Sequence, residues 1–280
     1  MSRRILAPLT LLWMLCFAGL TPGYAEHLKD LSNSTKYLAL GDSIAFGYTP
    51  LAQNPGDLKD YHGYPEFVSQ GTNLKLANAS CFGESTGHFL NLAAQDTGCA
   101  AWRAVFPLFA DYSGTQMEYA LDYLQGNKKV QLVTIDIGAN DLGILLAACG
   151  GNPTCFENGL PGVLNTYGAN LGAIFGRIRF EAGYIGPIVA VTTYARDYTD
   201  PAEIGPIAAL NGVLATVANT FGVQIADAFS AFGAVSGHTG GSACGAGLLI
   251  ELSPGVCDIH PSAAGQALIA QTVLALVPKK

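Results

Sequence analysis

The chain has 280 residues, half of them hydrophobic and 12% charged, enough for a sizeable core in one large domain or two small ones. Its formal charge of −7 provides no basic face for nucleic-acid phosphates and no basic patch for anionic membranes. The sign of the charge otherwise speaks to solubility.

Residues 1–25 read as an export signal: Arg3 and Arg4, an apolar run over 5–20, then Gly23-Tyr24-Ala25 as a small-x-small cleavage site. The run is short for a membrane span and holds Pro8, which favours a cleaved signal over an uncleaved anchor. Cys16 follows Leu15 rather than a small residue, a poor match to a lipoprotein signal. Cleavage leaves 12 basic against 21 acidic residues, a net −9, and a single domain over 26–280 with no repeat or linker.

A short apolar run, Tyr37-Leu38-Ala39-Leu40, predicts the first strand and breaks at Gly41-Asp42-Ser43, where small and polar residues favour a sharp exit. A loop rich in Pro, Gly and Tyr leads to a helix beginning near Tyr64-Pro65-Glu66, and residues 74–79 form the second strand. Residues 97–113 are aromatic and irregular. Thr115 and Glu118 form a capping box, and Met117, Ala120, Leu121 and Leu124 then share one helical face ending at Gly126. Residues 130–137 are apolar enough for a central strand, and 143–159 read as a cysteine-bearing insertion. Tyr167, Leu171, Ile174, Phe175 and Ile178 mark a helix, and 188–192 the fourth strand. Asp200-Pro201 opens a helix whose core positions are Ile207, Leu210, Leu214 and Val217, ending at Gly222. Residues 223–226 are the fifth strand, 233–256 a long loop, and 263–277 the last helix. Strands alternating with helices predict a parallel sheet covered on both faces.

A serine at the carboxyl end of a strand stands where open α/β sheets place their ligands, although such a serine is more often a helix cap. Downstream, Gly83 follows the second strand, Asn140 the third, and His260 sits in Cys257-Asp258-Ile259-His260-Pro261. Ser, Gly, Asn and His in this order, over nearly the whole chain after residue 25, resemble the four signature blocks of the SGNH (GDSL-type) hydrolases. The resemblance implies an α/β fold, a flavodoxin-like three-layer α/β/α sandwich with a central parallel sheet. Taken with the export signal, it points to a secreted serine esterase or lipase, expected to need no metal or cofactor, acting on a small-molecule or lipid ester. Ser43 would be the nucleophile that forms an acyl-enzyme, and His260 the general base and acid. The oxyanion donors would be the backbone amides of Ser43 and Gly83 and the side-chain amide of Asn140. The family usually places its aspartate three residues before the histidine, a position held here by Cys257. Asp258 stands two before; residues two apart in an extended segment point the same way, so Asp258 can reach the ring of His260 unless a backbone carbonyl orients it instead.

Other readings compete. Gly83-Glu84-Ser85-Thr86-Gly87 fits G-x-S-x-G, the nucleophile elbow of another hydrolase fold, but no Gly-rich oxyanion loop precedes it. Asp42 and Asp136 read as structural, a turn residue and a strand residue in need of a partner. His27, His62, His88 and His238 carry no such context. Six cysteines remain after cleavage, and an even number in an exported chain predicts three disulfides among fifteen pairings. Sequential pairing, 81–99, 149–155 and 244–257, is preferred because it closes short local loops. Zinc is disfavoured, since no cysteine pair has C-x₂₋₄-C spacing. An exported lipid- or glycan-binding protein on the same fold and an acyltransferase are the alternatives of function.

Overall fold

The computed structural model describes residues 36–277; the expected export signal over 1–25 lies outside the described residues. Strands β1 (Lys36–Gly41), β2 (Lys75–Asn78), β3 (Val130–Asp136), β4 (Ile188–Val191) and β5 (Gln224–Ala226) form one sheet in the order β2-β1-β3-β4-β5. Every neighbouring pair in it is parallel. Helices α1 (Ser43–Phe46), α2 (Tyr64–Thr72), α3 (Thr86–Leu90), α4 (Cys99–Arg103) and α5 (Gln116–Gly126) precede or follow the first strands. Helices α6 (Ala139–Ala148), α7 (Pro153–Gly176), α8 (Pro201–Thr220), α9 (Ala228–Ser236) and α10 (Ala263–Leu274) complete the set, with an antiparallel hairpin of β6 (Leu249–Ser253) and β7 (Val256–Pro261).

Side chains alternate along each strand, so every strand feeds two cores. Leu38, Leu40, Val133 and Ile135 meet Met117 of α5, Leu171 of α7 and Leu210 of α8 on one face. Tyr37, Ala39, Leu132 and Val189 meet Val68 of α2, Phe232 of α9 and Ile269 of α10 on the other. Burial of each such Leu, Ile or Phe contributes about 1.5–3 kcal/mol. The three-layer α/β/α sandwich expected from the sequence is therefore the fold. Buried polar groups tie its elements together: the hydroxyl of Tyr37 lies 2.6 Å from Thr134 Oγ1. Gln266 of α10 accepts from the amide of Tyr64 at 2.8 Å and donates to the carbonyl of Ile44 at 3.1 Å, tying α10 and α2 to α1.

Three stretches differ from expectation. The insertion over 143–159 is helical: α6 and the first half of α7 occupy it. The buried side chains of α7 are Tyr167, Leu171, Ile174 and Phe175, so its first half shows no core periodicity. The cap is legible nevertheless, since Asn152 accepts from the amide of Cys155 and Pro153 takes the first turn. The irregular stretch 97–113 contains the short helix α4, and the loop over 233–256 contains the end of α9 and β6. On α8, Leu210 and Leu214 are buried as expected, but Ile207 turns toward an open cleft. By length and composition α8 is the one described helix apolar enough to cross a membrane; here it packs on the sheet.

The cysteines pair as Cys81–Cys99, Cys149–Cys155 and Cys244–Cys257, the sequential pattern. The first brackets the loop that carries Gly83, the second closes the turn between α6 and α7, and the third anchors β7 beside Asp258.

Glu66 accepts from the amide of Gly63 at 2.9 Å at the start of α2, and burial pushes its carboxyl up to about 7. A carboxyl whose pKa is raised on folding contributes stability below its unfolded pKa, and that contribution disappears as pH rises through the folded value. Glu66→Gln keeps an acceptor without the charge. Its stability relative to wild type is expected to rise by about 2–3 kcal/mol between pH 4.5 and pH 8, measured by urea denaturation. A gap constant with pH would count against the buried carboxyl.

Candidate active site

The strand order places a topological switch between β1 and β3, the position at which sheets of this order bind ligands beyond their carboxyl ends. The chain leaves β1 at Gly41 with φ of +134°, where a Cβ would lie 2.1 Å from the carbonyl oxygen of Asp136. Only glycine fits there. The amide of Asp42 donates to that carbonyl at 3.0 Å, and the Asp42 side chain accepts from the amide of Ile44 at 3.0 Å, capping α1. Ser43 is thus the first residue of α1, 7% exposed, with an amide that lies outside the intrahelical ladder.

His260 arrives from the far end of the chain on β7, which the hydroxyl of Tyr194 holds by donating to the carbonyl of Ile259 at 2.7 Å. Its Nε2 lies 3.0 Å from Ser43 Oγ. Asp258 Oδ1 accepts from the backbone amide of His260 at 3.0 Å and also bonds its ring Nδ1. This carboxylate favours the proton on Nδ1 and leaves the Nε2 lone pair facing the hydroxyl of Ser43. Burial lowers the pKa of His260 below its ordinary value, and Asp258 offsets part of that effect. The ring is therefore a neutral base at neutral pH. The side chain of Tyr48 flanks it at 4.7 Å between ring centroids.

Gly83 and Asn140 follow β2 and β3 to the same edge. Gly83 has φ of +76°, and a Cβ there would lie 2.5 Å from the amide nitrogen of Gly98. Thr97 joins the two: its amide donates to the carbonyl of Gly83 at 2.9 Å, and its Oγ1 lies 2.5 Å from Asn140 Oδ1. Asn140 Nδ2 donates to the carbonyl of Glu84 at 2.9 Å and to Asp42 Oδ2 at 3.2 Å.

Sequence reasoning misses the support beneath these residues. Gln116 brackets Gly41, accepting from its amide at 2.6 Å and donating to its carbonyl at 3.0 Å, and its Nε2 also lies 3.1 Å from Glu84 Oε2. The capping box at Thr115 predicts the helix but not this use of its second residue. Asp42 and Asp136, read as structural, both line the cleft. Burial pushes Asp42 up to about 7, with Asp141 and Glu84 adding to the rise, and Asp136 well above the carboxylate range.

Ser85 is a helix cap. It is buried, accepts from the amide of His88 at 3.1 Å and donates to the carbonyl of Gln95 at 2.6 Å. The ring of His88 bonds Glu84 instead of Ser85, and that bond raises its pKa. His88, Asp96 and Cys99 lie close enough to group around an ion, as do Cys81, Glu84 and Cys99. The cysteine sulfurs in both groups are committed to the Cys81–Cys99 disulfide, so neither offers a thiolate.

Ser43 and His260 open into a cleft of about 790 Å³. Its walls are α6 and the start of α7 on one side and the start of α8 on the other.

A sheet of this order with Ser43, Gly83, Asn140 and His260 gathered at its switch point defines the SGNH class of hydrolases. The chain belongs to the GDSL-like lipase/acylhydrolase family, whose model matches residues 39–268. Among curated proteins, none matches it by sequence. Its fold is similar to that of phospholipase A1 from Streptomyces albidoflavus, with a TM-score of 0.57 at 22% identity over 88% of this chain and 100% of that one. An extracellular lipase from Streptomyces rimosus gives 0.55 at 20% identity over 88% and 100%. An acetylxylan esterase from Geobacillus stearothermophilus gives 0.55 at 18% identity over 88% and 95%.

Proposed function

We propose that the protein is a secreted carboxylic-ester hydrolase acting through a Ser43 acyl-enzyme. The observation that carries this reading is the aligned row Asp258–His260–Ser43, with Nε2 3.0 Å from Oγ. Ser43 Oγ attacks the ester carbonyl while its proton passes to His260 Nε2, forming a tetrahedral oxyanion. The amides of Ser43 and Gly83 and Asn140 Nδ2 stabilise that oxygen. The longer of the two Asn140 bonds, to Asp42 Oδ2, is the one exchanged for the oxyanion. Collapse expels the alcohol, which takes the proton from His260. Water then attacks the acyl-enzyme, again giving its proton to Nε2, and the carboxylic acid leaves as Ser43 recovers its hydrogen. Asp258 holds the ring in the required tautomer and favours the imidazolium formed in each half-reaction.

The family supports hydrolysis, and the three disulfides are consistent with export to an oxidising compartment. Export would follow removal of residues 1–25, leaving a single domain over 26–280. A fluorophosphonate is expected to modify Ser43 alone, located by peptide mass spectrometry, and to abolish p-nitrophenyl butyrate turnover in proportion to labelling. A protein that neither takes the label nor turns over any ester would be a binding protein on this fold.

A further inference from the structure

Helix α6 buries none of its residues, although leucine, isoleucine and alanine make up most of it. Leu142 and Leu146 line the cleft instead, the latter 55% exposed. Phe156 and Leu160 of α7 continue this wall, and Ile207 of α8 faces it. The Cys149–Cys155 disulfide closes the α6–α7 turn. Further along, Gly159 lets Leu145 approach until a Cβ would be 2.5 Å from Leu145 Cδ1. The wall is therefore braced at two points. A water molecule's share of liquid volume is about 30 Å³. An acetyl group would thus leave nearly all of the 790 Å³ in contact with solvent.

The fixed charges of the rim are mostly acidic. Glu157, Asp200 and Glu203 line the cleft, and the fixed cation among its described lining residues is Arg196. Arg196 is already engaged, with Nε 3.0 Å and its backbone amide 2.7 Å from Glu203 Oε1. A phosphate placed here would meet carboxylates and no unengaged guanidinium or ammonium.

We infer that the cleft between α6–α7 and α8 is an acyl-chain channel, and that the substrate is an uncharged ester with a medium or long acyl chain rather than an acetyl ester or a phosphate-bearing lipid. This rests on the ester hydrolysis proposed above and specifies its substrate. The channel starts at Ser43, passes Leu142 and Ile207, and leaves beyond Leu146 and Phe156. Each methylene that enters it sheds water against apolar side chains, a gain worth roughly two- to fourfold in kcat/KM per methylene over the first steps.

The test uses the exported protein with p-nitrophenyl esters from acetate to decanoate. It adds dioctanoylglycerol against dioctanoylphosphatidylglycerol in mixed micelles of one neutral detergent. Ser43 labelling by fluorophosphonate is run in parallel. The expected result is a kcat/KM that climbs with chain length and at least about tenfold preference for the diacylglycerol. Leu146→Asp, at an exposed position that the fold tolerates, is expected to lower the decanoate-to-acetate ratio by about tenfold or more. Glu157→Lys is expected to narrow the gap between the two lipids. A labelled enzyme that prefers acetate, or whose chain-length profile ignores Leu146→Asp, overturns the channel and leaves the hydrolase reading intact. Equal or faster phosphatidylglycerol turnover overturns the headgroup argument. Absence of both labelling and turnover overturns the two readings together.

Discussion

Ser43→Ala is expected to lower kcat for ester hydrolysis by about a millionfold, the scale on which loss of the nucleophile from a Ser–His–Asp unit acts. Among the described residues, the hydroxyl of Ser43 is the group hydrogen-bonded to His260 Nε2, at 3.0 Å. The change is small in volume at a nearly buried site, and Asp42 still caps α1, so the fold is expected to persist. Ser85→Ala is the informative companion. Ser85 caps α3, and losing such a cap costs about 1 kcal/mol of stability. Its denaturation midpoint is therefore expected to fall while kcat stays within a few-fold of wild type. Turnover of p-nitrophenyl butyrate and a urea titration on both variants separate the two roles. If Ser85→Ala is the inactive variant, the mechanism proposed above is wrong.

The second large effect is expected from Asp258→Asn. The carboxylate accepts from the ring Nδ1 and from the amide of His260. An amide can present a donor to Nδ1, which moves the ring proton to Nε2 and leaves no base facing Ser43. A loss of about 10³–10⁴ in kcat follows. The pH profile distinguishes this from simple loosening. Burial lowers the pKa of His260, and Asp258 is the group that raises it back. Removing the negative charge lowers the pKa further, so the acid limb of kcat/KM is expected to move to lower pH while the plateau drops. The Cys244–Cys257 disulfide anchors β7 in both proteins, so melting temperatures are expected to be similar. A variant with full activity and an unmoved acid limb would mean that a backbone carbonyl orients the imidazole.

Much of this site is legible in the amino-acid sequence because its parts sit at breaks in strong patterns. Gly41-Asp42-Ser43 interrupts an apolar run, and Asn140 follows another, so the ends of β1 and β3 are visible as ends. The offset of Asp258 from the family's usual position is resolved by the strand: β7 is extended, and residues two apart share a side, which brings Asp258 onto the ring. The decoy at Ser85 could not be dismissed by its motif, because a cap and a nucleophile after a strand use the same residue type. What distinguishes them is the partner of the hydroxyl, the carbonyl of Gln95 in one case and an imidazole in the other.

The five strands, the order of the four signature blocks and the helices with buried stripes are all written in the residues, because hydrophobic periodicity records burial against a sheet. The placement of α6 and the first half of α7 is not. None of their residues is fully buried and several, Leu142, Leu146, Phe156 and Leu160 among them, line an open cleft, so they carry no core period to read. Packing also settled that Ser43 meets His260 across 217 residues, that Gln116 brackets Gly41, and that Asn140 is held by Asp42 and Glu84. A hydrogen bond depends on two groups arriving within about 3 Å, and that meeting is set by the packing of whole layers rather than by the residues on either side of each group.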